Sequence, residues 1–395
     1  MRRSSSALLF AALAAAGFAA MTQLAAGRGG QAQAHPAGEA AAPADPWTPP
    51  AEPLRSALLY DRFETIGVKD GLPSERTTCV LAEGEDLAVG TDAGLALRRA
   101  GKWTVLTETD GLAHRYVTSV SRSSTTGDLW IGTLRGLSCL SAGALRSFRQ
   151  TDSGLMNDVI YQVIAEGPLV WCGTASGLSC LDTTSGVWTL HDVKNSIMHE
   201  PWCYSVAAGP QRTWIAIWGG GIVELDRRTG LFKEYRDPDG EMEIDLLRDD
   251  GPIHDVSSFV AWDGGFLWQA SYFGLARYDG RRWRSFTAAD SGLPGDFISH
   301  VSSRGPTVWI GSDQGLGVLE GDTCVSYRRS KDGGCDVRVC RDGKEIEVRH
   351  LATAPADDYV LWTQGGESDV WFATGRGLSH GIAERKASAE QRKDR

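Results

Sequence analysis

One short pattern recurs along this chain and restricts its fold more than any other feature. LWIGTLRGLSCL begins at Leu129 and VWCGTASGLSCL at Val170. Further copies are TWIAIWGGGIVEL from Thr213, LWQASYFGLARY from Leu267, VWIGSDQGLGVL from Val308 and VWFATGRGLSHG from Val370, with a degenerate LAVGTDAGLALR from Leu87. The second position is Ala88, Trp130, Trp171, Trp214, Trp268, Trp309 and Trp371, giving steps of 42, 41, 43, 54, 41 and 62 residues. Within the second unit, residues 117–121, 129–133, 137–140 and 144–148 read as strands, and Gly, Asp and Ser mark the turns between them. Four short strands in one period, without helical periodicity, describe the blade of a propeller. The expectation is an all-β, seven-bladed β-propeller of four-stranded antiparallel blades.

The ends of the repeat predict how the ring closes. The seventh unit stops near Ile382 without a fourth strand, and residues 60–66 have no unit of their own. Phe63 and Ile66 precede GVKDGL as Trp103 and Leu106 precede TETDGL. The N-terminal segment therefore supplies the outer strand of the last blade, which removes exposed sheet edges. The propeller is assigned to residues 57–383.

Residues 1–34 read as a signal peptide: Arg2 and Arg3, an apolar run over 7–20, and Ala32-Gln33-Ala34 as the cleavage site. The run is short for a span, which takes about 20 residues, although an uncleaved anchor is the alternative. Residues 35–56 have the Ala/Pro composition of a linker, and 384–395 form a charged tail expected to be disordered. No later stretch is apolar for long enough to cross a bilayer. The expected location is periplasmic or extracellular. A net charge of -10 argues against nucleic acid as a partner.

Taken together, W-I-G-T-x-x-G-L, the following W-x-x-F strand and the D/S-G-L-P link resemble the two-component regulator propeller repeats, over about residues 57–383. The resemblance implies a periplasmic sensing propeller of the kind found in hybrid sensor kinases. This sequence shows no span after the propeller and no kinase or response-regulator segment, so a recognition role is expected rather than direct signalling.

The repeated tryptophans are read as packing between neighbouring blades, and the glycines before Leu95, Leu137, Leu178, Leu275, Leu316 and Leu378 as turn residues with positive φ. Of the eight cysteines, Cys139 and Cys180 hold equivalent places in adjacent sheets about 10 Å apart, beyond the roughly 7 Å reach of a disulfide. They are read as buried thiols. Cys335 and Cys340 flank a short segment and form a candidate pair.

Candidate site residues are those that break the repeat. The two long steps are insertions between blades, at 237–255 and 335–350, the second read as a hairpin with an Asp342-Gly343 turn. Both are expected to mark one face as the binding face. In the links, the third residue after the glycine is Ser74, His114, Asn157, His199, His254 or Gly295, and the fourth is Glu75, Arg115, Asp158, Glu200, Asp255 or Asp296. These are expected to ring the channel mouth. Trp218, Tyr272 and Phe273 stand in turns where other units carry Asp92, Arg135 or Gln314. With His199, Glu200, Trp202, His254, Asp255, His114 and Arg115 they form the candidate ligand-binding set. An aromatic wall beside carboxylates suits a saccharide or another flat hydroxylated ligand. No cofactor is expected, with Ca²⁺ at Asp237, Asp239 and Glu241 as the weaker reading.

No nucleophile motif, HExxH or phosphate-cradling loop is present. The expected function is an exported ligand-sensing or ligand-binding propeller, serving a separate signalling system. The alternatives are a protein-interaction scaffold, or a polysaccharide-directed lyase or hydrolase using histidines and carboxylates at the channel mouth.

Overall fold

In the computed structural model, residues 59–238 and 250–383 are described. They form seven antiparallel sheets. Blades 1 to 5 occupy residues 77–106, 117–148, 160–191, 203–235 and 257–286, each with four strands in sequence order, and blade 6 begins with four more over residues 298–329. Blade 7 takes three strands from residues 360–382, and its fourth is Arg62–Ile66, paired with Gly377–Ile382 in the register Phe63↔Gly381 and Ile66↔Leu378. The expected closing strand is thus in place. The segments read as a signal peptide (1–34), a linker (35–56) and a charged tail (384–395) lie outside the described residues.

Side chains that only a closed ring brings together hold the closure. Phe63 packs edge-on against Tyr327 of blade 6 and Phe372 of blade 7. Tyr60 accepts a hydrogen bond from the Trp309 indole at 2.6 Å, and its backbone N–H donates to the Tyr327 hydroxyl at 2.8 Å.

The repeated tryptophans explain the spacing of the motif. Trp130 packs on Ile160, Val163 and Val170 of blade 3. Trp171 packs on Val206 and Ile215 of blade 4, and Trp371 on Val80 and Val89 of blade 1. Each wedge is an aromatic surface removed from water between two sheets. Gly136 shows why glycine follows: φ is +127°, and a Cβ there would lie 2.7 Å from the Phe148 carbonyl oxygen of the same blade's outer strand.

A second set of contacts joins the innermost strands. The axis-side N–H groups of an inner strand have no ladder partner. In several places the preceding blade supplies one. The Ser119 hydroxyl accepts from Val163 N, the Gln162 carbonyl from Val206 N, the Ser205 hydroxyl from Val260 N and His300 Nδ1 from Thr363 N. Gln364 bridges the seam between blades 7 and 1, accepting from Ala82 N and donating to Ala82 O.

Two expectations need correction. The 335–350 hairpin exists, with positive φ at Asp342 (49°) and Gly343 (72°), but it does not rise over the channel face. Its strands, Cys335–Arg341 and Lys344–Leu351, continue blade 6 outward into a six-stranded sheet. The reason is local: Thr323–Arg329 offers an open edge that Cys335–Arg341 completes along its whole length. The other insertion falls largely on residues 239–249, outside the described part.

The Cys335–Cys340 pair is the second correction. Both sit on one extended strand, five positions apart, which separates them by roughly 16 Å. Cys335 faces Tyr60 and Tyr327, while Cys340 lies against Gly292 and stands opposite Cys324 in register. All eight cysteines are free and buried, and burial pushes the thiols of Cys79 and Cys180 up to about 12 and that of Cys139 to about 11.

Two outcomes follow. Phe63→Ala should cost about 3–5 kcal/mol in urea unfolding, the range for deleting a buried ring; a loss below about 1 kcal/mol would mean that the ring does not depend on this closure. A thiol reagent at neutral pH should modify none of the cysteines in the folded protein and all eight after denaturation, because every thiol is buried away from the reagent.

Candidate functional site

The first strand of every blade carries a β-bulge near its start, seen as a register shift at residues 77/79, 117/119, 160/162, 203/205, 257/259, 298/300 and 360/362. A bulge re-aims a side chain. The bulged residues are Thr78, Thr118, Tyr161, Tyr204, Ser258, Ser299 and Leu361. In three blades the hydroxyl fastens the next blade: Thr78 donates to Val117 O, Ser258 to Ile298 O and Ser299 to Val360 O. In blades 3 and 4 the position is a tyrosine instead.

Two further positions belong to the same level of the channel. One is the residue just before the first strand: Arg76, Tyr116, Val159, Trp202, Val256, Phe297 or Tyr359. The other opens the turn after the second strand. Backbone hydrogen bonds tie them together, as in Leu134 N to Tyr116 O, Trp218 N to Trp202 O and Asp313 N to Phe297 O.

These three positions build a continuous arc of rings. Tyr161 stacks on Tyr204 at 4.4 Å and Tyr204 on Trp218 at 5.0 Å. Trp218 meets Tyr272 edge-on at 5.0 Å, Tyr272 stacks on Phe297 at 3.7 Å, and Phe297 approaches Tyr359 at 6.4 Å. The arc runs from blade 3 to blade 7. Tyr116 of blade 2 lies within electrostatic reach of Tyr359. Blade 1 supplies the polar interruption, Arg76 paired with Asp92 at 3.5 Å. Trp218 is 6% exposed, and the other rings of the arc are half-buried.

Of the sequence-derived set, the structure joins Trp218 and Tyr272 and puts Trp202 just before the first strand of blade 4, its carbonyl bonded to Trp218 N. Tyr161, Tyr204, Phe297 and Tyr359 were missed. Their one signal was aromatic residues at the start of first strands, which in a propeller sequence look like ordinary strand formers.

The remaining candidates do other work. His114 Nδ1 accepts from Tyr116 N, and His254 Nδ1 accepts from Val256 N, so both rings hold a turn two residues ahead. His199 does not share their register. Matching Cys203↔Ile217 with Val117↔Thr133 places Glu200, not His199, at the position of His114. His199 instead faces Glu234 on the outer strand, at 3.4 Å. Phe273 stacks on His254 at 4.1 Å. Arg115 is exposed and donates its N–H to Glu108.

The fourth-position carboxylates are loop clasps. Glu75 accepts from Val68 N, Asp158 from Gln150 N, Asp255 from Asp237 N and Asp296 from Ala288 N. Asp255 also holds Arg236 at 2.7 Å. Glu200 stands within electrostatic reach of that same arginine. The histidines and carboxylates are therefore not gathered at one centre, and among the described residues no three His, Cys, Asp or Glu side chains are placed to hold a metal ion. Of the calcium reading, Asp237 gives its backbone N–H to Asp255, and Asp239 and Glu241 lie outside the described residues.

No family model and no curated protein sequence matches the chain. Solved structures do match. The extracellular domain of the putative hybrid two component system BT3049 from B. thetaiotaomicron aligns with a TM-score of 0.54 at 13% identity, over 82% of this chain and 53% of that one. The extracellular domain of the putative one component system BT4673 from the same organism aligns with a TM-score of 0.56 at 14% identity, over 82% and 40%. The chain has a two-component regulator propeller-like fold. It spans about half or less of those two extracellular domains. Virginiamycin B lyase from Staphylococcus aureus also aligns, with a TM-score of 0.56 at 11% identity, over 82% of this chain and 98% of that one. Among the described residues no helix is long and apolar enough to cross a membrane.

The arc makes an optical signature. Burial first of all raises the phenol pKa of Tyr116, Tyr161, Tyr204 and Tyr272, and pushes Tyr359 up to about 12. A folded-state pKa above the unfolded value contributes stability that is complete below pH about 10 and is lost as pH rises through the folded value. Absorbance at the phenolate band should therefore stay flat through pH 10 in the folded protein and rise cooperatively with alkaline unfolding. A gradual rise centred near pH 10 would place these rings in water.

Proposed function

We propose that this protein is an exported recognition module that binds a saccharide or another flat, hydroxylated small molecule on the aromatic arc at the link face of the channel. The arc itself carries this reading. Half-buried rings from adjacent blades offer stacking surface that is already ordered, so little side-chain entropy is lost on binding. The Arg76–Asp92 pair breaks the arc with polar groups that suit hydroxyls. The engagement of His114, His254 and Asp255 in turn and loop bonds favours recognition over acid–base chemistry at the mouth. The propeller-like fold shared with extracellular domains of one- and two-component systems supports a sensing role, with the signal passed to a separate protein. The export signals of residues 1–34 and the net charge of -10 fit a periplasmic or extracellular site of action and a partner other than nucleic acid.

The test is a thermal-shift screen of neutral and acidic oligosaccharides against the folded propeller, because a binder of the native state alone raises its apparent stability. At least one saccharide should raise the midpoint, and Trp218→Ala and Tyr272→Ala should each weaken that binding by about tenfold or more, or roughly 1.4 kcal/mol. Binding that survives both substitutions would reject the arc as the site.

A further inference from the structure

Away from the channel, a cleft of about 590 Å³ opens between blades 2 and 3. That volume is within the usual range for small-molecule sites, roughly 300–1,000 Å³. Trp130 of blade 2 and Trp188 of blade 3 line it, together with Cys139, Leu181 and Thr183. Trp188 is half-buried and Thr183 is exposed, so the cleft is open to solvent.

The sister junctions show what such a cleft holds when the chain fills it. Trp171 has the Arg227 guanidinium 5.6 Å from its ring centre, Trp268 has Arg277 at 5.7 Å and Trp371 has Arg98 at 5.7 Å. Arg98 also lies 5.8 Å from Trp103, so one guanidinium serves the wedge of blade 7 and the outer-strand tryptophan of blade 1.

These arginines come from three different positions of the repeat, and the junction of blades 2 and 3 has dropped all three. Arg277 pairs in register with Trp268, where Cys139 pairs with Trp130. Arg98 pairs with Trp103, where Leu181 pairs with Trp188. Arg227 opens a turn with its N–H bonded to Gln211 O, and Thr183 holds the same place with its N–H bonded to Pro168 O. The two tryptophans are kept and the guanidinium is missing.

The charges of the cleft fit a cation. Asp128 and Asp152 line it against one basic residue, Arg146. Asp128 lies within electrostatic reach of Cys139. A carboxylate does the same service for Arg227, which Glu166 holds at 2.6 Å. Arg146 is not the missing group. It sits over Phe148 at 4.6 Å, as its register counterpart Arg284 sits over Phe286 at 4.8 Å in the blade that also carries Arg277.

We propose that the cleft between blades 2 and 3 binds a guanidinium group on an alkyl stem, supplied from outside the chain, beside Trp130 and Trp188 and paired with Asp128. Leu145 and Leu181 give the stem an apolar lining. A planar guanidinium stacks on aromatic rings and forks onto a carboxylate, which a compact and strongly hydrated ammonium does less well. This site is separate from the aromatic arc and does not rest on it.

The probes are the blocked tripeptide acetyl-Gly-Arg-Gly-amide, its lysine analogue and agmatine, followed by ligand-observed NMR titration at constant ionic strength. The arginine tripeptide or agmatine should bind saturably in the millimolar range, and the arginine tripeptide about tenfold tighter than the lysine one. The tripeptide binding tighter than agmatine makes the ligand a polypeptide side chain, and the reverse makes it a free amine. Thr183→Arg installs the plug of blade 4 at an exposed turn, and Leu181→Arg installs that of blade 1. Each should weaken binding about tenfold or more by filling the cleft with the chain's own guanidinium. Asp128→Asn should weaken it about threefold, as for a partly exposed ion pair. Equal affinity for the lysine tripeptide, unchanged binding in both plugged variants, or no saturable binding of either guanidinium compound overturns the proposal.

Discussion

Closure of the ring is the constraint on which everything else in this molecule depends. A blade is a sheet with two apolar faces, and neither is covered until a neighbour stands on each side. Arg62–Ile66 makes this condition complete for the last blade by adding the strand it lacks. The buried hydrogen bonds of Tyr60 to Trp309 and Tyr327 then tie the chain's beginning to blade 6 as well. Contacts of such long sequence separation close at an entropic cost, which the apolar surface buried between blades, the tryptophan wedges included, helps to offset.

The channel follows from the same geometry. Seven inner strands leave their axis-side N–H groups unpaired, and side chains from the preceding blade answer several of them. This use of Ser119, Gln162, Ser205 and His300 gives the channel wall a repeating structural chemistry. The wall departs from that pattern where the bulge position drops its fastening hydroxyl for a ring, as Tyr161 and Tyr204 do. These departures from the repeat lie at the axis.

The rim shows the opposite behaviour. The hairpin of residues 335–351 enlarges blade 6 without reaching the channel, and the two exposed apolar residues Ile346 and Val348 stand on its outermost strand. Insertions in a repeat protein thus need not mark the binding face. An insertion goes where an open strand edge accepts it, and the outer edge of a blade is the nearest such edge.

Period, strand count and closure were legible in the sequence, because they rest on spacing. Trp130, Trp171, Trp214, Trp268, Trp309 and Trp371 recur at one phase, and Phe63 and Ile66 supply the piece that the seventh unit lacks. The packing role of these residues also follows, since a repeated residue meets a repeated environment. Two of the six rings of the aromatic arc were legible too: Trp218 and Tyr272 stand out against polar residues in the sister turns. The rest was decided by tertiary structure. A one-residue difference in the link before blade 4 moved His199 out of the register of His114 and His254, and no residue type announces such a shift. The carboxylates of Asp158, Asp255 and Asp296 look like a charged mouth in sequence but are turned to backbone N–H groups of their own links. Tyr161, Tyr204, Phe297 and Tyr359 lie in four separate blades. They become one surface only because bulges and link ends point them at a common axis, and an axis exists only once the ring has closed.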